Sequence, residues 1–273
     1  MGTRPVLSHV GITVTVPTVE PPADDDAHGK GAPRRVIVGD VQGCRAALDA
    51  LLARLRFRRG IDVLHPAGDL VAKGPDSLGV LRRCMELGAE PVLGNHDLAW
   101  LDAERIPDAE LRDWLAAQPL LRVLPDCGAV IVHAGLDPTW SGAVLDGLAA
   151  AGAAFAVGDT LRWYATTVRY CAADGRRPER DWPPPDGFRP WDDWLSGQDG
   201  EPATPVVAAL AERTGAARPR VLFGHWARRG LDLAGPGWAL DSGACYGGRL
   251  SAVVLEPGRP DRVRVVQVAG WSG

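Results

Sequence analysis

Strand-like runs of apolar and β-branched residues recur along this chain, and five of them end in residue types that bind metal ions. The endings are Asp40, Asp69, the pair Asn95 and His96, His133 and His225. The carboxyl ends of strands in α/β folds open onto a common crevice, where ligands bind. A single Asp or His at a strand end is more often a structural residue. Five such endings along one chain predict a metal site built from the strand ends.

These residue types also indicate which metal chemistry to expect. Two divalent ions about 3.5 to 4 Å apart can clamp an in-line displacement at phosphorus and acidify a water molecule. A short Asp side chain can bridge such a pair, and mixed nitrogen and oxygen ligands suit Mn, Fe, Co or Zn as well as Mg. A further group has to protonate the departing oxygen. The pattern therefore predicts a dinuclear centre for phosphoester hydrolysis.

The alternation of strand and helix patterns predicts an α/β domain that begins at Arg34. The first strand, RVIVGD, is followed by Leu48, Leu51 and Leu55 at helical spacing, and EPVLGNHD reads as a third strand. Residues 1–33 form a predicted extension and linker, with one candidate strand at ITVTV. Residues 174–203 are rich in Pro, Gly and Trp and predict a long loop or cap, whose aromatic residues either stack on a base or pack the loop.

The composition of the chain indicates which classes of partner to expect. The chain has 30 basic and 34 acidic residues and a net charge of -4, which favours small-molecule partners over a general nucleic-acid surface. Its five cysteines are widely spaced without a C-x-x-C pair, so we expect reduced thiols and a cytoplasmic protein. No apolar run approaches the roughly 18 residues of a membrane span. The oligomeric state is left open.

Five stretches, GDVQG, GDLVAKG, GNHD, VHAG and FGHW, resemble in this order the motifs of the calcineurin-like metallophosphoesterases. QPLLRVLPDCGAVIVHAGLDPTW, FGHWARRG and WALDSGACYGGRLSAV are similar to one branch, the symmetrical bis(5'-nucleosyl)-tetraphosphatases, which cleave diadenosine tetraphosphate into two ADP. The resemblance implies an α/β fold in which a two-sheet β-sandwich is flanked by helices. It also implies a dinucleoside polyphosphate substrate and two divalent metal ions, with Mn first and Co, Fe, Mg or Zn as alternatives.

The resemblance further implies a role for individual residues. The metal ligands would be Asp40, Gln42 and Asp69 at the first metal, with Asp69 bridging to a second metal that Asn95, His133 and His225 complete. His96 would be the general acid. Lys73 would contact a substrate phosphate where the family pattern has Arg, and Arg249, which follows a Gly-Gly pair in a polar turn, is a second candidate for a phosphate contact.

Besides Lys73, two positions depart from the general family pattern. Gln42 stands where a histidine is usual, and because an amide oxygen is a weaker and harder ligand than imidazole, we expect a loosely held first metal that leans towards Mn or Mg. Ala72 stands where protein phosphatases carry an Asp, which favours the tetraphosphatase branch. A Ser/Thr-type protein phosphatase, a weakly active or non-catalytic nucleotide-binding scaffold, and the removal of dinucleotide-like caps from RNA ends are the alternatives.

Overall fold

The computed structural model describes residues 32–150, 152–180, 182–196 and 203–273. The extension proposed for residues 1–33, with its candidate strand ITVTV, lies outside these residues except for positions 32 and 33. The strands are β1 (Arg35–Val38), β2 (Val63–Pro66), β3 (Leu121–Leu124), β4 (Ala129–Val132), β5 (Tyr170–Cys171), β6 (Arg189–Pro190), β7 (Arg220–Phe223), β8 (Gly237–Ala239), β9 (Arg249–Glu256) and β10 (Arg259–Ala269). The helices are α1 (Arg45–Arg54), α2 (Ser77–Glu86), α3 (Asn95–Asp102), α4 (Ala109–Ala116), α5 (Gly142–Ala150), α6 (Thr160–Thr167) and α7 (Pro205–Thr214).

The strands form two mixed four-stranded sheets, in the orders β10-β9-β1-β2 and β3-β4-β7-β8, and β5 and β6 form a separate short ribbon. In the first sheet β1 runs parallel to β2, and in the second β4, β7 and β8 run parallel to one another. The parallel pairs bring the carboxyl ends of β1 and β2, and of β4 and β7, to common edges. The α/β fold with two sheets that the sequence predicts is confirmed.

Alternate residues of the central strands belong to different apolar clusters. Ile37, Ile131 and Val253 lie in a cluster to which both sheets contribute. Val36 and Val38, on the opposite face of β1, belong to the cluster that includes the buried leucines of α1 and α2. Because both faces are covered, the strands read as continuous apolar runs rather than as alternating patterns. This packing fixes the direction in which each strand end points.

The prediction that EPVLGNHD forms a third regular strand is wrong. Its backbone bonds to β2 at two points only, from the N–H groups of Glu90 and Val92 to the carbonyls of Leu64 and Pro66. Both of these N–H groups point towards β2, and the ladder is interrupted at Pro66, which has no N–H to donate back to the carbonyl of Glu90. The segment still runs beside β2 and delivers Asn95 to the start of α3.

The five cysteines are buried free thiols, as the sequence predicts. None of the described helices has the length and apolar character that a membrane span requires. Helices α1, α2 and α7 each have only 10 residues.

A buried ion pair ties the start of β1 to the start of β2. The carboxylate of Asp62 is fully buried and pairs with Arg34 and Arg58, whose side chains are also mostly buried. Burial alone would raise the pKa of Asp62, but the hydrogen bonds from Arg34 and Arg58 hold that pKa well below its usual range. Removal of this carboxylate would leave two guanidinium groups without their shared partner.

We expect the variant Asp62→Ala to lose on the order of 3 kcal/mol of unfolding free energy, because it breaks a buried ion pair. Asp49 is the matched control: it also pairs with two arginines, Arg45 and Arg83, but 40% of its side chain is exposed. The variant Asp49→Ala should lose less than about 1 kcal/mol. Urea denaturation of both variants measures the difference, and equal losses would contradict the assigned role of burial.

Candidate metal centre

The ends of four strands from the two sheets meet through hydrogen bonds. Asp40 follows β1 and accepts a hydrogen bond of 2.9 Å at its Oδ1 from the backbone N–H of His225, which follows β7. His133 directly follows β4, and its Nδ1 lies 2.8 Å from the carbonyl oxygen of Ala67, which follows β2. The predicted convergence of strand ends is therefore present, and it joins one sheet to the other.

Two motif glycines make room for the carboxylates at this junction. A β-carbon at Gly224 would overlap Oδ1 of Asp40, and one at Gly94 would overlap Oδ1 of Asp69. The same Asp69 oxygen accepts the backbone N–H of His96 at 2.9 Å. The glycines of FGHW and GNHD are thus explained by close approach of the backbone to a buried carboxylate.

Three residues of the centre have left-handed backbone conformations. The φ angles are 43° at Gln42, 50° at Asp69 and 64° at His225. Non-glycine residues adopt such angles at a cost on the order of 1 kcal/mol each, and they are found most often where a site requires them. The backbone N–H of Gln42 bonds the carbonyl of Asp69 at 2.7 Å, which holds two of these residues against each other. Three of the six non-glycine residues with positive φ in the described chain are therefore predicted ligands, and the other three are Arg56, Ala72 and Glu104.

The carboxylates of the first metal position are buried together. Ligand atoms of Asp40, Asp69 and His133 all lie within 4.8 Å of one another. Burial, and then the charges of Asp241 and Asp69, raise the pKa of Asp40 well above its usual value. Burial also raises the pKa of Asp69 and of Asp241. Buried like charges of this kind stay ionised only beside a cation, so the donor set fits a divalent metal ion.

The second metal position consists of one amide oxygen and two ring nitrogens. Oδ1 of Asn95 lies 3.1 Å from Nε2 of His133 and 3.0 Å from Nδ1 of His225. Neighbouring ligand atoms of an octahedral ion with bonds of about 2.1 Å also lie about 3 Å apart. The two distances from the amide oxygen therefore fit ligands of one ion.

Both histidines are in the state that a metal ligand requires. The other ring nitrogen of His133 faces the carbonyl of Ala67, and Nε2 of His225 lies 3.0 Å from the carbonyl of Thr167. Burial lowers the pKa of both imidazoles, which keeps them neutral. A neutral ring that donates one N–H to a carbonyl and turns its second nitrogen to the site is the usual arrangement of a metal-binding histidine.

Gln42 lies between the carboxylates and a thiol. Its Nε2 is 3.2 Å from Oδ2 of Asp69 and 3.4 Å from Oδ2 of Asp40, and its Oε1 accepts a hydrogen bond of 2.9 Å from Sγ of Cys245. The amide oxygen therefore faces away from the carboxylates. A metal can bind through Oε1 only if the side-chain amide rotates so that Oε1 and Nε2 exchange places. The thiol of Cys245 can then accept a hydrogen bond from Nε2, because sulfur is both a weak donor and a weak acceptor.

His96 and Lys73 lie at the open side of the centre. His96 keeps 31% of its side chain exposed, and its Nε2 is 3.9 Å from Oδ2 of Asp69. Lys73 is exposed, and its Nζ lies 5.1 Å from the ring centroid of Tyr246. Burial lowers the pKa of His96, and the charge of Lys73 adds to the decrease. Both positions are compatible with contact to a substrate.

Arg249 is exposed at the first residue of β9. Its backbone pairs with Ser242 and with Ala269. No contact of the described residues links its guanidinium to the carboxylates. The phosphate contact predicted for Arg249 stays a prediction.

Sequence reasoning did not single out three residues of the centre. Asp97 is fully buried and accepts hydrogen bonds from the backbone N–H groups of Leu70 and Gly94. It therefore connects the segment GDLVAKG to the segment GNHD. Asp241 lies against Asp40, and Cys245 orients Gln42. Asp97 could have been found as the last residue of GNHD, directly after two predicted site residues. Nothing local in the sequence distinguishes Asp241 or Cys245.

The chain belongs to the calcineurin-like phosphoesterase family, whose model matches residues 33–229. Among its relatives are proteins named symmetrical bis(5'-nucleosyl)-tetraphosphatases. That of Chromohalobacter salexigens is 36% identical, and the match covers 81% of this chain and 94% of the relative. That of Pectobacterium carotovorum is 34% identical, with 79% of this chain and 89% of the relative covered.

Solved structures agree with this family. A crystal structure provisionally described as a diadenosine tetraphosphatase is 32% identical, with a TM-score of 0.66, and covers 89% of this chain and 96% of the other. A cold-active protein tyrosine phosphatase has a TM-score of 0.55 at 15% identity, with 88% and 79% covered, and shows a shared fold only. The family implies metal ions, and the buried Asp40, Asp69 and His133 provide a group that can hold one.

We expect the variant Gln42→His to bind metal at the first position more tightly than the wild type and to shift its preference towards Zn, because imidazole is the stronger ligand for borderline ions. Calorimetric titration of metal-free protein with Mn and with Zn measures both effects. Gln118→His is the matched control, because Gln118 is also buried but donates to the carbonyl of Trp114 at the end of α4. Unchanged affinity and preference in Gln42→His would refute the assigned ligand.

Proposed function

We propose that this phosphoesterase hydrolyses diadenosine tetraphosphate symmetrically into two ADP with the help of two divalent metal ions. The observation that carries the proposal is the buried group of Asp40, Asp69 and His133, extended by the Asn95 and His225 contacts. The relatives named above support the choice of substrate. We also propose that the protein acts in the cytoplasm.

The proposed metal holders follow from the donor atoms. Asp40, Gln42 and Asp69 hold the first ion, and Asn95, His133 and His225 hold the second together with Asp69. When bound, the ions would supply Lewis acidity and an activated water at phosphorus. Manganese is the preferred ion, because the set mixes imidazole nitrogen with carboxylate and amide oxygen, and Co, Fe, Mg and Zn are the alternatives.

The residues around the ions have separate tasks. Asn95 and Lys73 hold the non-bridging oxygens of an inner phosphate, which fixes the phosphorus for in-line attack. His96 gives a proton to the oxygen that leaves with ADP. The backbone N–H of His96 is held by Asp69, and its ring remains partly exposed, so the ring can reach a bound substrate while its backbone stays fixed.

The direct test is to incubate metal-free protein with diadenosine tetraphosphate and added Mn, and to resolve the products by anion-exchange chromatography. ADP as the sole product supports symmetrical cleavage. ATP with AMP would mean that a different phosphorus is attacked. Turnover of phosphopeptides in preference to the dinucleotide would favour a protein phosphatase, and binding without turnover a scaffold. RNA carrying a dinucleotide-like cap is a second substrate to assay, because the same bond is cut.

We expect the variant His96→Asn to lower kcat for diadenosine tetraphosphate by roughly 10² to 10⁴, the usual contribution of a general acid. Its affinity for Mn should stay close to that of the wild type, because His96 touches Asp69 through its backbone N–H, which the variant keeps. Single-turnover rates and a calorimetric Mn titration separate the two effects. A loss of Mn binding that equals the loss in rate would argue that His96 acts in the metal site rather than on the leaving group.

A further inference from the structure

Two cavities adjoin the metal centre. The first has a volume of about 480 Å³, and its lining includes Lys73, Trp100 and Arg105. The second has a volume of about 180 Å³, and its lining includes Asn95 and Trp163. The two linings have no residue in common. One cavity thus reaches the centre beside Lys73, and the other reaches it beside the Asn95 ligand.

Helix α3 separates the cavities. Leu98 lines the second cavity and Trp100 lines the first. Each residue of a helix advances by about 100°, so these two side chains lie roughly 200° apart on α3. Asn95, three residues before Leu98, shares the face of the second cavity. Because α3 begins with Asn95 and His96, the two cavities flank the residues that we assign to the chemistry.

The two linings share one combination of side chains. Each combines one tryptophan with arginine: Trp100 with Arg105 in the first, and Trp163 with Arg177 in the second. The guanidinium of Arg177 lies 4.7 Å from the ring centroid of Trp163. Nucleic-acid bases stack on aromatic rings and on guanidinium planes, and arginine also pairs with phosphate. Both linings therefore suit a nucleoside attached to a phosphate chain.

Two tryptophans of the Pro-rich loop, Trp191 and Trp194, are buried, whereas a third, Trp182, is 71% exposed but lines neither cavity. Trp191 is 1% exposed and packs against Phe223, and Trp194 is 9% exposed and donates to the carbonyl of Cys171. These two pack the loop rather than offer a face to a base. Trp100 and Trp163 are only partly buried against the core, and Trp163 is held edge-on by Tyr164 at 5.2 Å.

We infer that the two cavities are the two nucleoside subsites of a dinucleoside polyphosphate, with one base on Trp100 and the other on Trp163. This inference rests on the proposed function. The phosphate chain then passes over Lys73, His96 and Asn95, between the subsites, so that the inner phosphates meet the metal centre. A substrate with a nucleoside at each end and the cleaved bond in the middle requires two cavities on either side of the reacting residues.

The test compares Trp100→Ala and Trp163→Ala with a matched control, Trp114→Ala. Trp114 is also partly buried against the same apolar core and lines neither cavity. We expect each cavity variant to raise KM for diadenosine tetraphosphate by about five-fold to a hundred-fold, the effect of removing one base stack. Inorganic tetraphosphate, which has the chain without the nucleosides, should keep its inhibition constant in both variants, and Trp114→Ala should change neither constant.

The exposed arginines provide variants that do not disturb the core. Arg105→Ala and Arg177→Ala should also raise KM for the dinucleotide, and thermal unfolding verifies that all five variants fold. The inference would be overturned if Trp100→Ala and Trp163→Ala fold and keep the KM of the wild type for diadenosine tetraphosphate. It would also be overturned if, in these two variants, the KM and the inhibition constant of tetraphosphate rose equally.

Failure of the proposed function is a separate result, because it appears as absence of turnover by the wild type. Equilibrium binding of diadenosine tetraphosphate to the same variants then tests the subsites by themselves. Weaker binding in Trp100→Ala and Trp163→Ala, but not in Trp114→Ala, supports the subsites. Equal binding in all three overturns them.

Discussion

The burial of Asp40 and Asp69 side by side, where the two sheets meet, is the constraint on which the rest of the centre depends. Each carboxylate is nearly inaccessible to solvent, and burial raises the pKa of both; the charges of Asp241 and Asp69 add to the increase at Asp40, and the charge of Asp241 adds to that at Asp69. Their desolvation is tolerable when divalent cations occupy the space between them. The hydrogen bonds from His225 to Asp40 and from His96 to Asp69 position these acids from other parts of the chain.

The surrounding backbone is adapted to this burial. Left-handed conformations at Gln42, Asp69 and His225 turn the chain sharply after each strand, so that ligand atoms lie within one small volume. Gly94 and Gly224 leave space for the carboxylate oxygens. Neutral imidazoles complete the second position without adding charge of their own. Part of the backbone strain therefore falls on residues that the proposed chemistry uses.

The sequence predicted the α/β fold and the strand ends because these follow from local patterns: an apolar run, a turn, and a polar residue at a fixed place. It did not predict the contact between Gln42 and Cys245, which are 203 positions apart, or that between Asp40 and Asp241. Such contacts depend on how distant segments pack. The irregular segment beside β2 shows the opposite case, in which a local rule, the missing N–H of Pro66, was present in the sequence but outweighed by the apolar pattern.

The central claim is that Asp69 joins two metal positions into one centre, and the number of Mn ions bound per chain tests it most directly. Equilibrium dialysis of metal-free wild-type protein should give two ions per chain, and the variant Asp69→Asn should bind both ions more weakly, because a single side chain contributes to each position. A wild type that binds one ion, or an Asp69→Asn variant that loses one ion while it keeps the affinity of the other, would contradict the account.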